Sequence, residues 1–231
     1  MTAAFRIFCV LLLLGAPALG QADSRRIALV MGMSDYQTLP PLDNTGNDAI
    51  AMATTLKRIG FDVTLSVDAG AAEIEQLLED FAFRSEVADL ALIYFAGHGI
   101  EVQGENFLIP VDAAVNSNLD VQRQSMSLKR LLSAVDRARK MRIVILDSCR
   151  NNPLGDDIAL SSSPVETATA EGTRGGGGGM AAADPDRGTL VAFAARDGQV
   201  ALDGNGTNSP YAVALMEKMA EPGLEISLMF R

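Results

Sequence analysis

Residues 88–99, ADLALIYFAGHG, decide the architecture. The run from Leu90 to Ala96 is continuously apolar and rich in branched and aromatic side chains, which is the pattern of a strand buried on both faces. Three further runs read the same way: Ile27–Met33 within RRIALVMGMSDY (25–36), MRIVILD (141–147) and GTLVAFAARDG (188–198). Helical stretches lie between them. Residues 46–59 place Ile50, Ala53, Leu56 and Ile59 at helical spacing, and Gly60 ends that helix. AAEIEQLLEDFAFR (71–84) is amphipathic, Ser127 caps a helix running to Arg137 with Leu128, Leu131, Leu132 and Val135 inward, and YAVALMEKMA (211–220) forms a last one. FDVTLSV (61–67) alternates as a strand, and GIEVQGENFLIPVD (99–112) reads as a hairpin turning on Gly104-Glu105. Strands alternating with helices predict an α/β fold: a mostly parallel central sheet with helices on both faces.

The flanks and composition narrow the setting. Residues 1–22 combine Arg6, an apolar run from Ile7 to Leu14 and small residues before Gln21, the pattern of a secretory signal peptide. Cys9 lies inside that apolar run and not at its end, which argues against a lipoprotein anchor, and no later stretch is long enough to span a bilayer. Export without a membrane anchor, to the periplasm or the exterior, is the expectation. The formal charge of −10 argues against nucleic acid or an anionic membrane as the main partner. From residue 153 to 187 the chain turns Ser/Thr-rich, carries Asp156-Asp157 and includes five consecutive glycines (175–179), so a flexible linker is expected there. EISLMFR (225–231) carries an apolar face and no stop signal, and the chain is expected to continue beyond it.

The rare residues carry the chemistry. Without the signal segment the chain holds one cysteine, Cys149, and one histidine, His98. A single thiol makes no internal disulfide, and in an oxidising compartment it must be buried or used. Each residue follows a buried apolar strand, and in open parallel sheets sites form at the carboxyl ends of strands. If those strands are neighbours, an imidazole faces a thiol. The imidazole then draws off the thiol proton, and the thiolate is the nucleophile. Gly99 leaves an unobstructed N–H beside His98, which could join the Cys149 N–H in an oxyanion hole. Taken singly, a lone histidine is more often structural and a lone cysteine a small core residue. One Cys and one His fall short of a zinc site's ligand count, so no metal is expected.

YFAGHG (94–99) and DSCRNNP (147–153) closely resemble the His and Cys motifs of the caspase-like peptidases (peptidase C14 type), especially the bacterial metacaspase or orthocaspase branch. Their separation, 51 positions from 98 to 149, agrees with the interval of roughly 50 residues known for caspases. ALVMGMSDY (28–36), LDNTGNDA (42–49) and VAFAARDGQVALDGNGTNSPYA (191–212) extend the resemblance over the chain from about Arg26 onward. It implies a caspase-like three-layer sandwich: a large-subunit region at 23–152, an inter-subunit loop at 153–187 and a small-subunit region at 188–231. It also implies His98 and Cys149 as the catalytic dyad of a cysteine endopeptidase.

The resemblance bears on specificity as well. Caspases that cut after Asp hold it with Arg and Gln, whereas metacaspase-like members place acids in that pocket. Here Asp147 stands two before Cys149, and Asp48 falls in the segment matching the family's other pocket acid. Two carboxylates in one pocket select Arg or Lys at the scissile position, because a buried cation needs paired charge. Near a helix start, Asp48 could instead serve the helix dipole. Where some members carry Ser two before the His, this chain has Ala96, so one polar pocket contact is expected to be missing. Arg174 and Arg187, in or beside the loop, are candidate autoprocessing positions, with an uncut linker as the alternative. No cofactor is implied; calcium activation, known in part of the family, is without support here because no compact acidic loop matches a calcium site. The partners expected are protein or peptide substrates with a basic residue at the cut. The contrasting possibility is a caspase-like module that binds or scaffolds without catalysis. A third, a different cysteine hydrolase or transferase, suits an acidic pocket less well. Oligomeric state is not readable from these residues.

Overall fold

The computed structural model describes residues 25–149, 188–194 and 206–221, with the main chain alone for Cys149. The expected signal segment at 1–22, and the expected linker at 153–187 with Arg174 and Arg187, lie outside the described residues.

Five strands run parallel in the order β2 (Asp62–Val67), β1 (Arg26–Gly32), β3 (Leu90–Val102), β6 (Met141–Cys149), β7 (Thr189–Phe193). The far half of β3 continues antiparallel with β4 (Glu105–Leu108), which pairs with the short β5 (Met126–Ser127). The strands are parallel because helices return the chain between them: α1 (Thr45–Arg58) after β1, α2 (Ala71–Ser85) after β2, and α4 (Leu128–Val135) before β6.

The continuous apolar strands owe their pattern to two cores, one on each face. On β3, Ala91, Ile93 and Phe95 enter one core while Leu92, Tyr94 and Ala96 enter the other; on β6, Val144 and Leu146 part from Ile143 and Ile145 in the same way. Residues of α2 (Ile74, Leu78, Phe81) and α4 (Leu131, Val135) fill the first core. Residues of α1 (Ala49, Met52, Ala53, Leu56) and of α5 (Pro210–Met219), notably Leu215, fill the second. Period-two alternation with both faces covered is the reason no polar stripe survives in these strands. This is the caspase-like three-layer α/β arrangement.

Several expectations need correction. The strand at 88–97 and the first arm of the hairpin are one 13-residue strand, so His98 lies within β3 and not beyond its tip. The strand runs on because β6 stays alongside to the pair His98↔Cys149 while, on the other edge, β1 gives way to β4. The turn sits one residue earlier than expected, on Gln103 (φ 54°) and Gly104 (φ 81°), the paired positive φ values of a tight hairpin. Likewise β6 includes Ser148 and Cys149. Ile50 is 50% exposed, because the buried stripe of α1 runs Ala49, Met52, Ala53, Leu56. Helix α3 (Asn118–Gln124) and β5 had no periodic signature, being held by the Ser117 cap and by pairing with β4.

Candidate active site

The loop after β1 comes first, because it holds the histidine. At its start, Met33 N–H continues the sheet by donating to Ala96 O (2.8 Å). Asp68, at the end of β2, accepts both Ser34 N–H (2.6 Å) and Asp35 N–H (2.9 Å) on Oδ1. Gln37 N–H donates to Val111 O (2.9 Å), Thr38 Oγ1 to Ala113 O (2.6 Å), and Leu42 N–H closes back on Ser34 O (3.1 Å). Near its end the loop presents the Pro40 carbonyl to the imidazole.

His98 Nε2 lies 2.9 Å from Pro40 O. A carbonyl only accepts, so Nε2 carries the proton and Nδ1 is the basic nitrogen of the neutral ring. The imidazole is buried, 6% exposed, and packs on the Tyr36 ring with centroids 4.6 Å apart. On the neighbouring strand the register sets Cys149 directly opposite His98, and adjacent strands lie about 4.8 Å apart. Gly99 faces Leu108 in the β3–β4 ladder, while Ile109 N–H donates to His98 O (3.0 Å). The alternation of an antiparallel ladder therefore turns the Gly99 N–H away from β4, toward the side on which β6 ends.

The two acids converge from different elements. Asp48 is in the first turn of α1 and 1% exposed; Asp147 is near the end of β6 and 7% exposed. Asp48 Oδ1 accepts from Asn208 Nδ2 (2.8 Å) and Ser209 N–H (3.0 Å). Asp147 Oδ2 accepts from Tyr94 Oη (2.8 Å) and Ser209 Oγ (3.1 Å). Ser209 thus touches both carboxylates, and its Oγ also accepts Ala212 N–H (3.1 Å) as the N-cap of α5. These four donors are neutral; they solvate the carboxylates without cancelling their charge. Burial, then the charges of Asp147 and Asp48, hold the Tyr94 hydroxyl well above its ordinary value, so Tyr94 stays a donor. Asp48 is therefore more than a dipole partner for α1, since a buried cross-link to α5 rests on it.

The residues around His98, Cys149 and the two acids were not all legible beforehand. Tyr36, Pro40, Tyr94, Asn208 and Ser209 were not singled out. Tyr94 had a signal, being the one polar group inside an apolar strand, and a buried phenol needs a partner. Ser209-Pro210 before an apolar helix was another, the N-cap followed by Pro at N1. Pro40 acts through its carbonyl, which side-chain chemistry does not reveal. Ala96 pairs across the sheet with Asp147, and Tyr94 two residues earlier brings a hydroxyl to that acid. Among the described residues no group of three or more His, Cys, Asp or Glu side chains could hold a metal ion.

Comparison with known proteins identifies the family. Residues 25–231 match the peptidase C14 caspase domain. The chain is 26% identical over 145 residues to the mucosa-associated lymphoid tissue lymphoma translocation protein 1 of Homo sapiens, covering 62% of this chain and 17% of that protein. It is 25% identical over 158 residues to caspase-13 of Bos taurus (64% and 39%) and 26% over 153 residues to caspase-1 of Felis catus (64% and 36%). It therefore spans less than half the length of each of these relatives. With the family model matched from β1 to its last residue, the chain belongs to the caspase-domain family of cysteine peptidases.

Proposed function

We propose that the chain is a cysteine endopeptidase that cuts after Arg or Lys, with Cys149 as nucleophile and His98 as general base. The Cys149 thiol passes its proton to His98 Nδ1, the nitrogen left basic by the Pro40 contact, and the thiolate adds to the scissile carbonyl. The oxyanion is received by the N–H groups of Gly99 and Cys149. His98 then returns the proton to the departing amine, leaving a thioester that water hydrolyses to free the thiol. The chemistry needs no cofactor, since thiol and imidazole supply both nucleophile and proton.

One observation carries the specificity: Asp48 and Asp147 are buried and meet at Ser209 beside the strands that bear His98 and Cys149. Two buried carboxylates so close together favour a cationic side chain at the cut over a neutral or acidic one. A guanidinium offers several donors to two carboxylates, and an ammonium offers a point charge. A peptide with Asp at the cut would add a third carboxylate to the same place. The substrates are thus polypeptides with an exposed basic residue, met outside the cytoplasm after removal of residues 1–22.

A second reading has its own support: the same hydrogen bonds would serve if the acids only tied α5 to the sheet of a non-catalytic scaffold. Fluorogenic peptides differing only in Arg, Lys or Asp at the scissile position separate the two. Turnover of the Arg and Lys peptides, lost in Cys149→Ala, is the expected result. Turnover of the Asp peptide alone would overturn the pocket assignment, and no turnover of any would favour the scaffold.

A further inference from the structure

We infer that Tyr36 is a positioning residue for His98, fixing both its main chain and its ring; this rests on His98 acting as the base. The need arises from the path of β3. Through Ala96 that strand is tied to the β1 side, where Met33 N–H meets Ala96 O, but β1 itself ends at Gly32. Two residues later the His98 N–H points to the same edge, where no strand of the parallel sheet remains to accept it. The Tyr36 hydroxyl takes that place, accepting His98 N–H at 2.8 Å. A side chain thus completes the ladder at the histidine.

The rest of Tyr36 acts on the imidazole. Its ring lies 4.6 Å from the His98 ring, inclined at 50°, while Pro40 O holds Nε2 from the same loop. One contact sets the main chain, one sets the ring plane and one sets the tautomer, so Nδ1 is left with little rotational freedom. The loop that carries Tyr36 is itself tied down by Asp68, Val111 and Ala113. Gly97 makes the approach possible, because a Cβ there would stand 2.7 Å from Tyr36 Oη and 2.9 Å from Phe95 Cζ.

Tyr36→Phe tests this by deleting one hydroxyl while keeping the ring, with Tyr36→Leu removing both. The expected result is a fall in kcat of about tenfold for Tyr36→Phe and about a hundredfold for Tyr36→Leu, the scale of loss when a catalytic group is displaced by about 1 Å, with KM within about twofold of wild type. His98 is the chain's one histidine, so histidine-selective nitrogen labelling yields one residue's signals independently of turnover. In the wild type the neutral ring should be the Nε2–H tautomer, and in Tyr36→Phe the His98 amide should exchange faster and the ring nitrogens should shift toward a tautomer mixture. Inactivity of the wild type would sink the peptidase reading while these signals still report on the contact. A Tyr36→Phe protein that melts earlier yet keeps wild-type kcat and His98 signals would show a merely structural tyrosine and overturn the inference. So would one unchanged in every respect.

Discussion

Ser209→Ala probes the joint between the two halves of the candidate pocket. The substitution removes the hydroxyl that caps α5 through Ala212 N–H and donates to the buried Asp147. Loss of an N-cap costs about 1 kcal/mol, and loss of a hydrogen bond to a buried charged group costs about 1.5–3 kcal/mol. The Ser209 main-chain N–H to Asp48 survives, so nothing is subtracted there. The sum is about 2.5–4 kcal/mol, which for a domain of this size lowers Tm by about 5–16 °C. Urea unfolding of wild type, Ser209→Ala, Asp147→Asn and the double variant measures it. The two residues should couple by at least about 0.5 kcal/mol, because they share one bond. A Ser209→Ala cost below about 0.5 kcal/mol, or strict additivity with Asp147→Asn, would refute the claim that Ser209 bears on that acid.

Four other perturbations have defined outcomes. Asp48→Asn and Asp147→Asn should each lower kcat/KM on Arg peptides by at least about thirtyfold, measured against unchanged main-chain fold by circular dichroism, since removing one partner of a buried charge pair costs about 2 kcal/mol or more. Burial first, then the Asp147 charge, raises the hydroxyls of both Tyr94 and Tyr211, with Asp48 adding to the shift at Tyr94. Unfolded tyrosines ionise near pH 10, so above about pH 10 the folded chain keeps protons that the unfolded chain releases. Stability should then fall by up to about 1.4 kcal/mol per pH unit for each tyrosine, with no such slope below it. Tyr211→Phe, whose hydroxyl lacks a hydrogen-bond partner among the described residues, should flatten that fall in urea titrations without loss of stability at pH 7. Gly104→Ala, at φ 81°, should cost about 1–2 kcal/mol in urea unfolding and leave kcat/KM unchanged, because the turn lies away from the dyad. On incubation alone, intact-mass spectrometry should find cleavage after Arg174 or Arg187 in the active chain and none in Cys149→Ala; an uncut active chain would end the autoprocessing proposal.

The parallel sheet was legible because strands buried on both faces leave no choice of pattern: the runs around Val30, Ile93 and Val144 could be little else. The dyad candidates stood out by scarcity, the one imidazole and the one thiol beyond residue 22, and the register then set them on adjacent strands. Less legible was anything decided by tertiary pairing. Ile50 sits at helical spacing with Ala53 but on the outer edge of the stripe, and only the position of the sheet tells which edge is wet. The glycines around His98 look like a strand end, yet β6 and β4 carry the strand through them. Pro40 contributes a carbonyl, a group every residue has, so its role follows from the loop's path alone.

Cys149 is proposed as a nucleophile served by His98 in a site that prefers a basic residue. Peptides ending in a thiol-reactive chloromethyl ketone, with Arg or Asp at the last position, test this by intact-mass spectrometry of the mature chain. One adduct is expected, on Cys149, formed much faster by the Arg reagent, absent in Cys149→Ala and strongly slowed in His98→Ala. Equal labelling by both reagents, or labelling indifferent to His98, would contradict it.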